Sequence, residues 1–548
     1  MSCETPAMRS KRHTTPQTFP LLSFPNELLL MIASNLPVKD LASMVLTGRY
    51  LHTLLISELY NTGAKLRTPN GSPLHWAAEF NQLSTARRLI SCGADPSLQR
   101  PFDHQTPFHR TAVRGHIELT KLMYRPSLVT MHDLHGKMPL HAACAMGQKE
   151  VVKYILSQMP SILTQRILPF QRTPLHCAAE NGHGAIVHLL ISHGAFEDIA
   201  DSHFITPLYL AAREGHYDTC KLLINCGARV SLRDTLDGNS PLHAAAASGH
   251  HHVVEFLLAS GAALNLRNFH GETPIHRAVR YMRESVVKFL LEHDLTGLLI
   301  QTQCALGQPL LTYAFGTTYA IGTGRQTPPV TLLSPLLEHG ADVDCRSLAN
   351  GQTPLFCAAA AETTDALSLF LDHGADVNAT DCFCATALHE AASFGQIPAI
   401  ELLVRHSALV DAKDLEKQTP LYYAVERGRE DVVQALLELG ADINTTDRLG
   451  MSPLSRACAQ CPVHINVNMV RLLIEKGADV RSKDVEGMTA LHHASREGHE
   501  EVVRLLLGAG ARARDRDKCG ENALDIASAF SKPKVVELLR MNMGMIAC

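Results

Sequence analysis

Residues Thr173-Pro174-Leu175-His176-Cys177-Ala178-Ala179-Glu180-Asn181-Gly182-His183 decide how this chain folds. Thr173 suits a helix N-cap, and Pro174 then takes the first helical position, where its missing N–H is not needed. The small pair Ala178-Ala179 lets a neighbouring helix come close, and Gly182 suits the left-handed residue that stops the helix. A second helical stretch follows with Leu189-Leu190, a pair expected to be buried. Two short helices cannot cover their own apolar faces, so units of this kind must stack on one another.

The anchor at Thr173 recurs along the chain. Its counterparts are Ser72, Thr106, Met138, Thr206, Ser240, Thr273, Gln308, Thr353, Thr386, Thr419, Ser452, Thr489 and Asn522. Successive anchors lie 32–37 residues apart, except for one step of 45 between Gln308 and Thr353. Self-similarity at such a period outranks local propensity in fixing the architecture. The stop position holds Gly115, Gly147, Gly215, Gly249, Gly395, Gly428 and Gly498, with Asn81 in the first unit. The second helices end at Gly-Ala or Gly-Ala-Asp, as at Gly440-Ala441-Asp442, and the chain returns to the next anchor through a turn or hairpin.

Taken together, Thr173–His183, Ser240–His250 and Thr489–His499 resemble the ankyrin repeat family. The resemblance implies an all-α fold, an ankyrin-repeat solenoid of about 14 helix-turn-helix repeats with hairpin loops over residues 68–542. Two units depart from the pattern. The repeat near 308–343 is degenerate, and its excess length is read as a loop inserted between the two helices at 315–331. The last unit has Asp525 in place of His, and Lys532 and Lys534 in its second helix, as a polar terminal cap would.

Residues 20–62 stand outside the repeat, and residues 1–19 read as a disordered tail. Leu28, Ile32 and Leu36 share one helical face, Pro37 ends that helix, and Asp40 can cap a second one beginning at Leu41. With Pro25 and Glu27 at its start, this stretch resembles the F-box, a short helical motif. The resemblance implies docking on the Skp adaptor of a cullin-RING ubiquitin ligase, with Pro25, Glu27, Leu28, Ile32, Leu36 and Leu41 as contacts. The same helices placed on the first repeat as a simple cap would instead suit a ligase-independent scaffold that sequesters a signalling or transcription factor.

Composition narrows the function classes. The 548 residues are 46% hydrophobic and 19% charged, enough apolar material for a folded interior. Aromatics are 5%, with one tryptophan, Trp76, so small aliphatics must build the core. A net charge of −4 gives no general electrostatic grip on nucleic acid. Fifteen scattered cysteines read as reduced thiols of an intracellular protein, cytoplasmic or nuclear. No secretory leader, membrane span or prenylation box is expected.

Thirty histidines invite a metal reading. Eight of them, however, lie three residues after an anchor and five follow the helix-stopping Gly, so the repeat itself places them. Cys458, Cys461 and His464 form at most half a zinc site, since no second ligand pair stands at a suitable spacing. Gly322-Thr323-Gly324 lacks the Lys and Ser or Thr of a phosphate loop. No catalytic motif is found, and neither enzyme activity, a cofactor nor a metal is expected. The expected partners are the Skp adaptor, the cullin complex and an unnamed protein target. In the ankyrin family, the hairpin tips and first helices contact partners, which singles out Trp76, Phe80, Arg280, Tyr281 and Phe394 as exposed aromatic or arginine anchors.

Overall fold

The structure is a computed structural model. It describes residues 43, 61–62, 64–65, 71–316, 327–361, 363–460 and 466–544. The F-box-like contacts Pro25, Glu27, Leu28, Ile32, Leu36 and Leu41 lie outside the described residues, as do Cys461 and His464. The chain divides into two compact units, residues 1–211 with 218–228 and residues 212–217 with 229–548.

Fourteen helix pairs run from Pro73–Glu79 with Leu83–Ser91 to Ala523–Ala529 with Pro533–Asn542. Within each unit the first helices of successive pairs pack side by side, and so do the second helices. Among the described residues the returns contain isolated β-bridges and turns in place of regular strands. The anchors are N-caps. Thr173 is extended (φ −96°, ψ 168°) and Pro174 opens the helix Pro174–Glu180.

His176 completes the cap from position N3. The Thr173 N–H donates to His176 Nδ1 at 3.2 Å, and His176 Nε2 donates to the Ile205 carbonyl of the next repeat at 3.0 Å. One imidazole therefore closes a helix start and staples two repeats. Its Nδ1 must be an acceptor, which assigns the neutral Nε2–H form. The arrangement recurs at His75, His109, His243, His389 and His492.

The helix stops also follow the sequence. Gly115, Gly249, Gly395 and Gly498 are left-handed, and so is Asn81 at φ 57°. At Gly215 a Cβ would sit 2.5 Å from His250 Nδ1, so the close approach forbids a side chain there as well.

Two expectations are corrected. The leucine pairs are not buried as pairs: Leu190, Leu223, Leu403 and Leu436 are, but Leu189, Leu222, Leu402 and Leu437 are half-buried. Adjacent helical residues diverge by about 100°, so one Leu of each pair reaches the core together with the preceding aliphatics, such as Ile186-Val187 and Val432-Val433. In the eighth unit the helix begins at Leu310, with Pro309 as N-cap, and ends at Tyr313. Gln308 supplies no short hydroxyl to accept from the first helical N–H groups, and among the described residues its buried Oε1 has no partner. The second helix of that unit is Val330–Glu338, so the last two residues of the stretch read as a loop are helical. Residues 317–326 lie outside the described residues.

Candidate partner-binding face

An aspartate organises most hairpin tips. Asp133 Oδ1 accepts from the N–H groups of His135 and Lys137 at 2.9 and 2.8 Å, and Asp447 Oδ1 accepts from Leu449 and Met451 at 2.9 and 2.8 Å. Each tip is then tied to the one before it. In the first unit Leu134 N–H donates to the Asp103 carbonyl at 2.8 Å. In the second, Phe269 donates to Asp237, Leu415 to Phe383 and Val485 to Leu449 at 2.7–2.9 Å. The tips are thus fixed without a sheet, and what they present is preorganised.

What they present is largely apolar. Phe102, Leu134, Leu168 and Phe170 are exposed at tips of the first unit, and Phe269, Phe383, Leu415 and Leu449 at tips of the second. The sequence reading missed these residues. At Leu134 and Leu449 the available signal was a Leu inside an Asp-to-Gly turn, where turn chemistry asks for polar residues.

Of the five anchors named from the sequence, Trp76 and Phe80 lie one helical turn apart on Pro73–Glu79 and its C-cap, 53% and 58% exposed, with ring centroids 5.4 Å apart. Arg280 and Tyr281 are neighbours in the second unit. Tyr281 is exposed under the Arg277 guanidinium, 5.3 Å from its ring centroid. Arg280 is half-exposed and engaged with Glu272 and Tyr313. Phe394 is exposed on Ala387–Phe394, three repeats further on. The structure therefore gathers these residues into two pairs and a single residue.

Two grooves open between tips and first helices. In the first unit a cavity of about 790 Å³ is lined by Leu134, Lys137, Leu168, Phe170, Arg172 and Glu180, among others. In the second, one of about 450 Å³ is lined by Phe269, His270, Glu272, Arg280, Tyr281 and Tyr313, among others. Both combine exposed apolar rings with arginine–glutamate pairs: Arg172 to Glu180 at 2.9 Å and Arg280 to Glu272 at 3.2 Å. Such a mixture suits protein side chains.

The family described as "Ankyrin repeats (3 copies)" matches residues 74–166, 159–234, 230–298, 326–414, 374–447, 408–484 and 454–545. The chain belongs to the ankyrin-repeat family. Among curated proteins it is 30% identical over 129 residues to the B-cell lymphoma 3 protein homolog of Mus musculus, covering 24% of this chain and 27% of that one. It is 28% identical over 136 residues to the transient receptor potential cation channel subfamily A member 1 of Drosophila melanogaster, covering 24% and 11%. It is 30% identical over 136 residues to the putative palmitoyltransferase ZDHHC13 of Danio rerio, covering 24% and 21%. The matches thus span between about a tenth and about a quarter of these relatives. The ankyrin repeats imply a protein-interaction scaffold.

The titratable groups inside the array serve its structure. Burial, partly opposed by backbone hydrogen bonds, pushes the imidazoles of His75, His109, His141, His176 and His243 down to about 4. His276 is also brought to about 4, by burial. Burial raises the thiols of Cys177 and Cys220 to about 11 and about 12, and lifts Cys458 well above its ordinary value. Thiols kept protonated are poor nucleophiles and metal ligands, and an imidazole such as His176, whose Nδ1 accepts from the Thr173 N–H and whose Nε2–H donates to the Ile205 carbonyl, has both ring nitrogens engaged. All twelve described cysteines are free. Among the described residues one group, His251, His252 and Glu255, brings three donor atoms within 4.8 Å. All three sit on one surface helix, and His251 packs its ring edgewise near Phe289. Among the described residues no hydrogen bond orients these imidazoles, whereas a metal-bound histidine almost always has its second ring nitrogen held in this way. Among the described residues no helix is long and apolar enough to cross a membrane.

Proposed function

We propose that this ankyrin protein is the substrate-recognition subunit of a cullin-RING ubiquitin ligase of the F-box type. Residues 24–51 dock the Skp adaptor through Pro25, Glu27, Leu28, Ile32, Leu36 and Leu41, and the array holds the protein to be ubiquitylated. The observation that carries the reading is the Pro25–Leu28 start, the Leu36-Pro37 stop and the Asp40-Leu41 restart, placed ahead of a long interaction scaffold. The receptor makes and breaks no bond; it raises the effective concentration of its target beside the conjugating enzyme. Trp76, Phe80, Arg280, Tyr281 and Phe394, with the apolar tips around them, are the proposed target contacts.

The test is binding of the full chain to the Skp adaptor, with the Leu28→Asp/Ile32→Asp variant alongside. Carboxylates placed on an apolar docking face lose their hydration on binding, so the variant is expected to bind about a hundredfold more weakly. Equal binding by the variant, or none by the folded wild type, would sink the ligase assignment. The array would then stand as a ligase-independent scaffold that sequesters a signalling or transcription factor.

A further inference from the structure

Along most of the second unit, one register position of the hairpins carries a hydrogen-bond acceptor. Asp344 accepts from the Asp376 N–H at 3.0 Å, Asn378 from Leu409 at 2.9 Å, Asp411 from Asp442 at 3.1 Å and Asn444 from Asp479 at 2.9 Å. This ladder helps to hold consecutive repeats together. At the same position the last two hairpins carry Arg481 and Arg514. Arginine has no acceptor, so the ladder ends where it would still be structurally useful.

The substitution belongs to a larger change of charge. Ala511 and Ala513 face inward and are buried, while Arg512, Arg514, Arg516 and Lys518 alternate outward and are exposed. In the preceding hairpin Ala478 and Val480 are buried, and Arg481 and Lys483 are exposed. The two rows lie side by side, since Lys483 Nζ donates to the Arg516 carbonyl at 2.8 Å. Arg481, Arg514 and Arg516 also donate to backbone carbonyls, of Gly510, Met543 and Gly520. Among the described residues no carboxylate pairs with any of these six cations. In the same two repeats the outer-helix cations are paired, Arg471 with Glu501 at 3.5 Å and Arg504 with Glu500 at 2.5 Å. Of the nearby carboxylates, Asp484 is turned to His493 at 2.8 Å and Asp517 caps its own turn through the Glu521 N–H at 2.8 Å. Asp515 alternates to the other side, which leaves Asp479 as the outward acid of these two rows.

We infer that this edge, formed by residues 479–485 and 512–518, docks an acidic segment of a partner protein. Each row folds over a turn, with the Asp515 N–H donating to the Arg512 carbonyl at 3.1 Å and the Ser482 N–H to the Asp479 carbonyl at 3.4 Å, so the cations fan outward from two neighbouring turns. A segment bearing several carboxylates meets this cluster of exposed cations, and the guanidinium fork suits a carboxylate. Neither hairpin stretch holds an aromatic side chain on which a nucleic-acid base would stack. The inference needs the array alone and is independent of adaptor docking.

The test is fluorescence anisotropy of the full chain with a labelled peptide of alternating Glu and Ser. Binding is expected, weakening severalfold between low and physiological salt as screening grows. Arg512→Glu/Arg514→Glu/Arg516→Glu should weaken it at least about tenfold, whereas Arg471→Glu/Arg504→Glu should leave it within about twofold. Arg481→Asn separates charge from fold: it restores an acceptor for the Arg512 N–H, so the melting temperature should hold or rise while affinity falls. No binding, equal binding of a Lys-Ser peptide, or undiminished binding by Arg481→Asn and the triple reversal would overturn the inference. Tighter binding of a single-stranded oligonucleotide or of phosphatidylserine vesicles, lost in the same variants, would overturn it in favour of that class.

Discussion

Acidification from pH 7 towards pH 4.5 should strongly destabilise the array, and its unfolding should take up several protons. Six imidazoles, those of His75, His109, His141, His176, His243 and His276, sit near 4 in the folded protein against 6.5 for the free side chain. Between these values the unfolded chain binds protons that the folded chain refuses, so stability falls as pH falls through that window. Each group contributes on the order of 3 kcal/mol at full effect, and six of them approach about 20 kcal/mol. At roughly 0.05–0.15 kcal/mol per residue, that is a large share of the stability of an array of this length. The cause is geometric as well as dielectric. Nδ1 accepts a backbone N–H in most of these caps, and a proton there would break the cap. Both units carry such histidines, so both should respond. Urea midpoints at pH 7, 6 and 5, with proton uptake measured by titration, check the expectation. A midpoint that does not move, or an uptake of fewer than about two protons, would contradict it. The depressed carboxylates of Glu79 and Asp103 add their own loss from the ordinary carboxylate range downward.

Much of this was legible in the chain itself, because an ankyrin unit is specified by neighbours in sequence. Thr173, Pro174 and His176 write a helix start within four residues, and Gly182 writes its stop. Even Asn81 at a glycine position could be read, since Asn tolerates the left-handed backbone it adopts. What could not be read depends on residues outside the helix that carries the motif. The Nε2 partner of His176 is 29 residues distant. The apolar tips are fixed by bonds to the preceding tip, so their presentation is set by stacking. Arg280 looked like a free contact residue because nothing in its own helix shows the buried Glu272 beneath it. The F-box-like stretch lies outside the described residues, and its reading rests on the residues quoted for it.

Replacing Glu272 by Ala should destabilise the second unit by about 3–5 kcal/mol, the range for leaving buried charges without their partner. The side chain is 3% exposed. Its Oε1 accepts from Arg280 at 3.2 Å and from the Tyr313 hydroxyl, and its Oε2 accepts from Arg277 at 3.2 Å and Asn268 at 2.9 Å. Its carbonyl receives His243 Nε2 at 3.1 Å, so one residue joins three successive repeats. Burial alone would raise this carboxyl, but the hydrogen bonds from Tyr313 and Asn268 and the Arg277 charge outweigh it and hold the group below its ordinary value. The carboxylate is therefore charged throughout the physiological range, and removing it strands Arg277 inside. Arg280→Ala should cost only about 1 kcal/mol, because Arg280 is half-exposed and Arg277 still neutralises Glu272. Urea midpoints measure both variants, and amide exchange at Leu310–Tyr313 shows whether the short eighth-unit helix loosens first. It should, since this helix lacks a side-chain cap and Tyr313 is anchored on Glu272. A Glu272→Ala protein within about 1 kcal/mol of wild type would mean that the arginines find solvent or another acceptor, and that the three repeats are joined by their apolar faces alone.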